Sequence, residues 1–480
     1  MFMLLFARVA FAEFDTTASI TTAGYSLTNE PLQHDVLQSD TGFLFRADAG
    51  IHWKFRDLLS ADLILAVEGP SRYGLLLGDG RNTLFGHDES AAIGDLRPYI
   101  DTAACRYDSP LKHLTVQTGI IRHGADDKYA NPGLDVSGAF GGFRTGCHYS
   151  DVGTRDGFLH QAAELTEPPD GIDAHFFRAF IQYLHRYSDP HAFIRSIDLL
   201  LSVGFLRDRT PSNHRWNALR DTWGAIARDD LGTASVRFSA EFPFVTLTGG
   251  YAENFGQAET DTGEREHREY TGTCLDAGIR VRYGMVELNA GYMNSSGDPF
   301  EKQDLVEERP PSEFEGFVDY PPTDLGLYDS HYIRHDLPLV FTGGTYTAFF
   351  GLPRPGYQRD AYSIENLETI RVESRFFPLP DWAITLRYWH VRADQSPWMY
   401  QDGHWVQPSK DLGDEFDIEI QCTLFDHIEL WALYGLAVTG QYYADSRDYF
   451  APGPVAGDGS TPYLSGRTVT LAEMGVTVTL

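Results

Sequence analysis

A run of strict alternation at residues 415–438 constrains the fold of this chain more than any other feature. In the first arm, apolar residues occupy every even position from Phe416 to Leu424, and polar residues occupy the odd positions. This period of two is typical of a β-strand with one apolar and one polar face. After a turn at 425–427, the arm at 428–438 repeats the apolar alternation. Arms of about ten residues match a tilted strand that crosses a bilayer, so the segment predicts a membrane-spanning hairpin.

The same alternation recurs along most of the chain. Paired stretches with short turns lie at 43–55 and 59–67, 96–107 and 114–122, 176–186 and 193–205, 236–242 and 245–251, 279–283 and 286–292, and 370–376 and 382–388. Weaker stretches at 137–149 and 154–165, with terminal strands at 14–22 and 467–480, bring the total to about eighteen, an even number as in single-chain bacterial barrels. The sequence therefore predicts an all-β fold, a transmembrane antiparallel β-barrel.

The connections between these stretches alternate between short and long, and the long ones include 257–270, 295–365 and 392–412. This alternation predicts periplasmic turns at one end and extracellular loops at the other. A soluble β-sandwich is the alternative, but it would not sort its loops so regularly. The longest predicted loop, residues 295–365, has an apolar and Gly-rich centre at 337–350. If this loop were exposed to solvent, its apolar centre would tend to associate with other apolar surfaces. We therefore expect the loop to fold over or into the pore as a lid.

Composition excludes several classes of protein. The net charge of −30 argues against a nucleic-acid partner. Beyond the N-terminus no run of 18 uninterrupted apolar residues occurs, which excludes a helical membrane protein. Residues 1–12 end in the small-x-small pattern Ala10-Phe11-Ala12 and predict a signal peptide, which leaves 13–480 as one barrel domain.

Four widely spaced cysteines, Cys105, Cys147, Cys274 and Cys422, form no CxxC motif and no Cys/His cluster. Each lies in a strand-like stretch, so we interpret them as small apolar side chains that face lipid or core. We expect no metal centre built on cysteine, and no cofactor.

Charged residues on the parity opposite to the apolar one should project into the lumen. The pore-lining candidates are Arg46, Arg178, Arg186, Arg237, Arg280, Arg282, Arg371, Arg375, Arg387, Glu415, Asp417 and Glu419. Because a lipid-facing arginine costs about 2–4 kcal/mol at the bilayer midplane, this placement is partly a requirement of the fold. Cross-strand salt bridges are one interpretation of these charges. The other is a constriction whose arginines guide an anionic solute.

The arginines at 280 and 282, and those at 371, 375 and 387, are the strongest candidates for such a constriction, because fewer acids lie near them. By contrast, the acids at 415, 417 and 419 share one strand face. They would repel an anion unless neighbouring arginines pair with them.

Two segments of the sequence resemble segments of a known protein family. Residues 411–420 followed by 428–443 resemble the C-terminal strands of the alginate export family of outer-membrane porins, and 114–127 is similar to an early strand of that family. The resemblance implies an eighteen-stranded barrel with an arginine-lined pore for the passive export of an anionic polysaccharide. It also implies an anionic sugar or polysaccharide and periplasmic export components as partners. A barrel of this kind would contact outer-membrane lipid. The long loops carry the acidic surplus, for example at 79–95 and 301–315; solvation is one explanation of these acids, and weak calcium binding or contact with lipopolysaccharide through divalent ions is another.

The predicted function is an outer-membrane channel, not an enzyme, that passes an anionic solute. A general porin of different selectivity is an alternative, as is an adhesive barrel that presents its long loops. An outer-membrane enzyme would need catalytic groups among residues such as His52, His123, His160, His175 and His427, but none stands at a motif spacing from a serine or an acid.

Deletion of the loop centre at 337–350 should raise the single-channel conductance, because a lid that narrows the pore would be removed. The measurement is conductance in planar bilayers, with the full chain as reference. Unchanged conductance would contradict a lid.

Overall fold

The structure of the protein, a computed structural model, describes most of the chain. The described residues are 12–29, 40–55, 58–69, 97–109, 113–121, 131–151, 174–189, 192–209, 226–261, 265–297, 313–317, 337–342, 366–396, 398–401, 404–425, 427–445 and 468–479. Within these ranges no helix is long and apolar enough to cross a membrane. The predicted signal peptide, apart from Ala12, and the weak strand predicted at 154–165 lie outside the described residues.

Strands make up nearly all of the regular structure. In chain order they are β1 (Ala12–Asn29), β2 (Asp40–Phe55), β3 (Leu59–Gly69), β4 (Arg97–Asp108), β5 (Leu114–Ile121), β6 (Asn131–Phe140), β7 (Phe143–Asp151), β8 (Ala174–Arg186), β9 (Ser196–Asp208), β10 (Ile226–Glu241), β11 (Val245–Asp261), β12 (Arg265–Tyr270), β13 (Thr273–Tyr283), β14 (Val286–Ser295), β15 (Glu313–Phe314), β16 (Leu367–Phe376), β17 (Trp382–Arg392), β18 (Met399–Gln401), β19 (His404–Val406), β20 (Asp411–Leu424), β21 (Ile428–Thr439) and β22 (Thr468–Thr479). Two short helices, α1 (Leu339–Thr342) and α2 (Gln441–Asp445), complete the set for the described part of the chain.

Eighteen of the described strands form one closed antiparallel wall, and β12, β15, β18 and β19 lie outside it. Consecutive wall strands pair with each other, and β1 pairs with β22, with Ser19 opposite Thr479. Ala12 lies opposite Phe55, so the first strand begins beside a short turn. Short turns, such as 284–285, lie at this end, and the strand ends that long connections join, such as Ser295 of β14 and Leu367 of β16, lie at the other. The predicted eighteen-stranded barrel is confirmed.

The outer surface of the wall is apolar. On β16, Ile370 and Val372 are 46% and 53% exposed, whereas Glu373 on the opposite parity is only 7% exposed. Other large apolar side chains exposed on the outer face are Ile51, Leu63, Leu201, Val203, Leu275, Ile279, Leu288, Leu386, Phe416 and Ile418. A closed barrel with a lipid-facing apolar band is the architecture of integral outer-membrane proteins. The protein is an integral barrel of the bacterial outer membrane.

The membrane hairpin predicted at 415–438 is formed by β20 and β21, and its predicted turn at 425–427 is confirmed. Phe425 takes a left-handed conformation there, with a φ of 55°. Strand β20 also begins earlier than the alternation predicts, at Asp411, and it contains a bulge. Gly413 allows the bulge with a φ of 127°, and the extra residue, Leu412, is fully buried.

One predicted strand is wrong. The weak stretch at 137–149 is not a single strand but the hairpin of β6 and β7, joined at Gly141 and Gly142. Gly141 has a φ of 61°, a left-handed conformation that suits glycine in a tight turn. The strand count is still even, because β7 occupies the wall position that 154–165 was expected to fill.

Several segments predicted as loops contain regular structure beyond the membrane. Strand β11 extends to Asp261 and pairs with β12, inside the predicted loop 257–270. Strands β18 and β19 form a separate hairpin within the predicted loop 392–412. These additions lie on the long-loop side of the barrel, where strand pairing continues without an alternating apolar pattern.

Part of the longest loop lies inside the barrel. We call residues 337–342, which include α1, the plug segment. Helix α1 contacts β20, β21 and β22. Leu337, Val340 and Phe341 are buried in a cluster that includes Leu433 and Leu471. Both wall residues have the inward parity, so the plug segment packs on the inner surface of the wall.

An arginine placed on the outer face should test the orientation of the wall. The substitution Val372→Arg, at the middle of β16, should lower the free energy of unfolding in lipid vesicles by about 2–4 kcal/mol, because it exposes a charge to hydrocarbon. Met285→Arg, in the turn at the membrane edge, is the matched control and should cost about 0–1 kcal/mol. Equal losses in denaturant titrations would contradict this orientation.

Candidate functional site

The inner wall carries its charges in layers that follow the strand register. Nearest the short turns, Arg282 lies opposite Glu287, which lies opposite Arg375. The next layer up contains Arg280, Asn289, Glu373 and Arg387, paired in sequence across four strands. The layer above it contains Arg371, Trp389 and Glu415. The register therefore brings together most of the predicted pore residues of β13, β16, β17 and β20.

The middle layer is held by ion pairs. Arg387 is 8% exposed and donates from Nε to Glu373 Oε2 at 2.7 Å and from Nη2 to Glu419 Oε2 at 2.6 Å. Glu373 also accepts a hydrogen bond from Asn289. Arg280 Nε donates to Asn289 Oδ1 at 3.2 Å and lies 3.6 Å from Glu287 Oε1. Arg387 is therefore a bridge between two buried carboxylates, and it is not available as a free attractor of solutes.

The acids at 415, 417 and 419 are all buried, and each has a different partner. Glu419 pairs with Arg387. Asp417 Oδ2 accepts a hydrogen bond from Trp389 Nε1 at 2.9 Å. Glu415 accepts two backbone hydrogen bonds from the plug segment. The expected pairing with an arginine is therefore present for Glu419, whereas the hydrogen-bond donors to Glu415 and Asp417 are neutral groups.

The arginines nearest the short turns are arranged differently. Arg282 and Arg375 lie over the ring of Phe377, with guanidinium carbons 5.2 Å and 5.1 Å from its centroid. Arg375 Nη2 donates to Gln421 Oε1 at 3.3 Å. Among the described residues neither arginine forms a salt bridge. Glu287 lies between the two arginines in the register, but it pairs with Arg280, so an aromatic ring and an amide hold the two guanidinium groups without a salt bridge to a described carboxylate.

A second arginine pair flanks a phenyl ring on β7 and β8. Arg144 and Arg178 each lie 5.6 Å from the centroid of Phe180. Arg144 is exposed. Sequence reasoning missed Arg144, because it treated 137–149 as one strand; the Gly141-Gly142 pair was the signal that could have revealed the turn and the parity of β7.

The remaining candidates are spread around the wall. Arg237 is half-buried on β10 and forms no ion pair within the described part of the chain. Arg371 lies 5.5 Å from the ring centroid of Trp389. Arg186 is exposed at the end of β8, beside a short turn. Arg46 is on β2, in register with Glu68.

The cysteines take two kinds of position. Cys105 and Cys147 are exposed on β4 and β7, whereas Cys274 and Cys422 are buried, and all four are free thiols. In the described ranges, no three His, Cys, Asp or Glu residues are arranged to hold a metal ion.

Neither a protein-family model nor a curated protein sequence matches this chain. The resemblance to the alginate export family therefore has no support beyond the segments quoted above.

The chain is similar to solved bacterial outer-membrane proteins. One is OpdK of Pseudomonas aeruginosa with vanillate, with 10% identity, a TM-score of 0.49, and coverage of 97% of this chain and 98% of that one. Another is OccK2 (OpdF) of the same organism in complex with glucuronate, with 10% identity, a TM-score of 0.47 and the same coverage. A third is OccAB4 of Acinetobacter baumannii, with 10% identity, a TM-score of 0.47 and 98% coverage of both chains. The assignment of the fold rests on the strand pairing described above.

Loss of Arg387 should destabilise the barrel, because Glu373 and Glu419 would remain buried without a cation. We expect Arg387→Met to lower the free energy of unfolding by about 3–5 kcal/mol, as for other broken buried pairs. Arg237→Met is the matched control and should have a much smaller effect, since no described carboxylate depends on Arg237. Denaturant titration in detergent or lipid would measure both, and similar losses would show that the bridge is unimportant for stability.

Proposed function

We propose that the protein is a passive outer-membrane channel for small anionic solutes. The observation that carries the proposal is the pair Arg282 and Arg375, held on Phe377 at the short-turn end without a salt bridge to a described carboxylate. The nearest acid in the register, Glu287, pairs instead with Arg280. Arg387, one layer deeper, is by contrast neutralised on both sides.

The electrostatic argument follows from that difference. Arginines without a carboxylate partner leave a local positive potential, and a lumen with low-dielectric walls focuses it. A guanidinium also presents several N–H donors in one plane, which matches the geometry of a carboxylate or phosphate. An aromatic ring beneath the guanidinium restrains it without removing its charge. The arrangement supports weak, repeated contacts with an anion, which a conducting pore requires.

The size of the solute is argued from the plug segment. Residues that pack on the inner wall, such as Val340 and Phe341, occupy space in the lumen. A narrowed lumen favours monomeric sugars and organic acids over an extended polymer. Export of an anionic exopolysaccharide, which the family resemblance implied, has no such supporting observation. A general porin of different selectivity is the alternative that the experiment below addresses.

The proposal includes the remaining sequence-based expectations. Residues 1–12 would act as the export signal, and the acidic long loops would meet lipopolysaccharide through divalent ions. No catalytic group or cofactor takes part in the proposed function.

The double substitution Arg282→Gln and Arg375→Gln should reduce anion preference, because it removes both guanidinium charges and keeps polar side chains of similar length. We expect the anion-to-cation permeability ratio, from reversal potentials in a KCl gradient, to fall by up to about tenfold. Uptake of glucuronate and vanillate into liposomes should fall relative to glucose.

Arg195→Gln is the control, since it removes an exposed arginine in the turn between β8 and β9. It should leave the permeability ratio unchanged. An unchanged ratio in the double variant, or a wild-type channel that prefers neutral sugars, would reject the anion channel.

A further inference from the structure

We propose that Glu415 is a positioning residue that sets the size limit of the channel by holding the plug segment at a fixed height on the inner wall. The inference rests on the proposed channel function, but it concerns size and not charge. Glu415 would act through the backbone of the plug segment and need not contact the solute.

The contact between Glu415 and the plug segment uses both carboxylate oxygens. Oε1 accepts a hydrogen bond from Val340 N at 2.9 Å, and Oε2 accepts one from Phe341 N at 3.0 Å. Glu415 is completely buried, with 0% exposure. A bidentate contact to two successive N–H groups fixes both the position and the orientation of the segment, since a shift of one residue would break both bonds.

Glu415 depends on the plug segment in return. Among the described residues it forms no salt bridge with an arginine or lysine. A buried carboxylate is costly unless hydrogen bonds or charges compensate it. The N–H groups of Val340 and Phe341 supply hydrogen bonds to both oxygens of the Glu415 carboxyl group.

Apolar contacts give the plug segment its affinity for the wall but not its register. Leu337, Val340 and Phe341 are buried in the same cluster as Leu433 and Leu471. Such contacts are non-directional, so they specify the height of the segment on the wall less sharply than two hydrogen bonds do. Glu415 therefore fixes the position of the plug segment on the wall, and the apolar side chains supply most of its affinity.

This division of roles leads to a specific expectation. Without the Glu415 carboxylate the plug segment should leave its position more often, and larger solutes should pass while it is displaced. Charge selectivity should change little, because Arg282 and Arg375 lie two layers away, near the short turns.

The test compares Glu415→Ala and Glu415→Gln in the full-length chain. Glu415→Gln keeps the shape of the side chain but replaces one of its two acceptor oxygens with an NH2 donor. For both variants we expect the fraction of time in a larger conductance state to rise by roughly tenfold or more, because at least one buried N–H group of the plug segment loses its acceptor, a loss that corresponds to about that factor. The size cut-off for neutral oligosaccharides in liposome swelling should rise in parallel.

Asp198→Asn is the matched control. Asp198 is a luminal carboxylate on β9 that accepts hydrogen bonds from Gln182 Nε2 at 2.9 Å and 3.0 Å, away from the plug segment. Asp198→Asn converts a luminal carboxyl group into an amide, as Glu415→Gln does, but it removes no hydrogen bond to the plug segment. We expect wild-type conductance states and a wild-type cut-off.

A second background shows whether Glu415 acts through the plug segment. Residues 337–342 are replaced by a Gly-Ser sequence of the same length, and Glu415→Gln is added to that chain. In this background the substitution should have no further effect on the cut-off. Folded Glu415 variants that behave like Asp198→Asn, or an equal effect of Glu415→Gln in both backgrounds, would overturn the proposal.

The two proposals fail separately. If wild-type channels show no anion preference but Glu415→Gln raises the size cut-off, the selectivity proposal fails and the role of Glu415 stands. If anions are preferred and the cut-off does not change, the role of Glu415 fails and the selectivity proposal stands.

Discussion

Backbone hydrogen bonding in hydrocarbon is the constraint on which this structure depends. No water is present in the bilayer core to satisfy an open strand edge, so a sheet that spans it must close on itself. The pairing of β1 with β22 achieves that closure over eleven residue pairs, from Ser19–Thr479 to Asn29–Val469. Once the wall is closed, each side chain faces either lipid or lumen, and every charge in the membrane-spanning part must enter the lumen or be paired.

The charged side chains that line the inner wall are held in two different ways. Deeper in the barrel, Arg387 neutralises Glu373 and Glu419, and Asp417 is satisfied by Trp389. Near the short turns, arginines are instead stacked on Phe377 and keep their charge. Arginine therefore stabilises the barrel at one depth and is available to a solute at another. The neighbouring side chains determine which of these two roles a given arginine has.

The sequence predicted the parts of the fold that have one face in lipid. The hairpins β13–β14 and β20–β21 alternate cleanly, because lipid tolerates few polar residues on its side, and their turns were located correctly. The β6–β7 hairpin was missed because its two glycines and short arms weaken the alternation. The extensions beyond the membrane, such as β12, carry no such pattern, since neither face meets lipid there.

The candidate site could be predicted only in part, for a related reason. Parity identified which residues point inward, but the partner of each depends on the register between strands and on distant loops. The distinction between a bridged Arg387 and an unbridged Arg282 required cross-strand geometry. The hydrogen bond between Glu415 and Val340 joins residues 75 positions apart in the sequence. An alternating pattern of apolar residues cannot predict a contact of this kind.

The bulge at Gly413 has a wider meaning for the architecture. Below it, β20 has an oily exterior at Phe416 and Ile418 and an ionic interior at Asp417 and Glu419. Above it, the inserted residue Leu412 is buried in the apolar cluster inside the barrel. Directly below it, Asp414 on the outer face accepts a hydrogen bond from Tyr388. The bulge therefore marks the height at which the lining of the lumen changes from ionic to apolar and the outer face of β20 changes from apolar to polar.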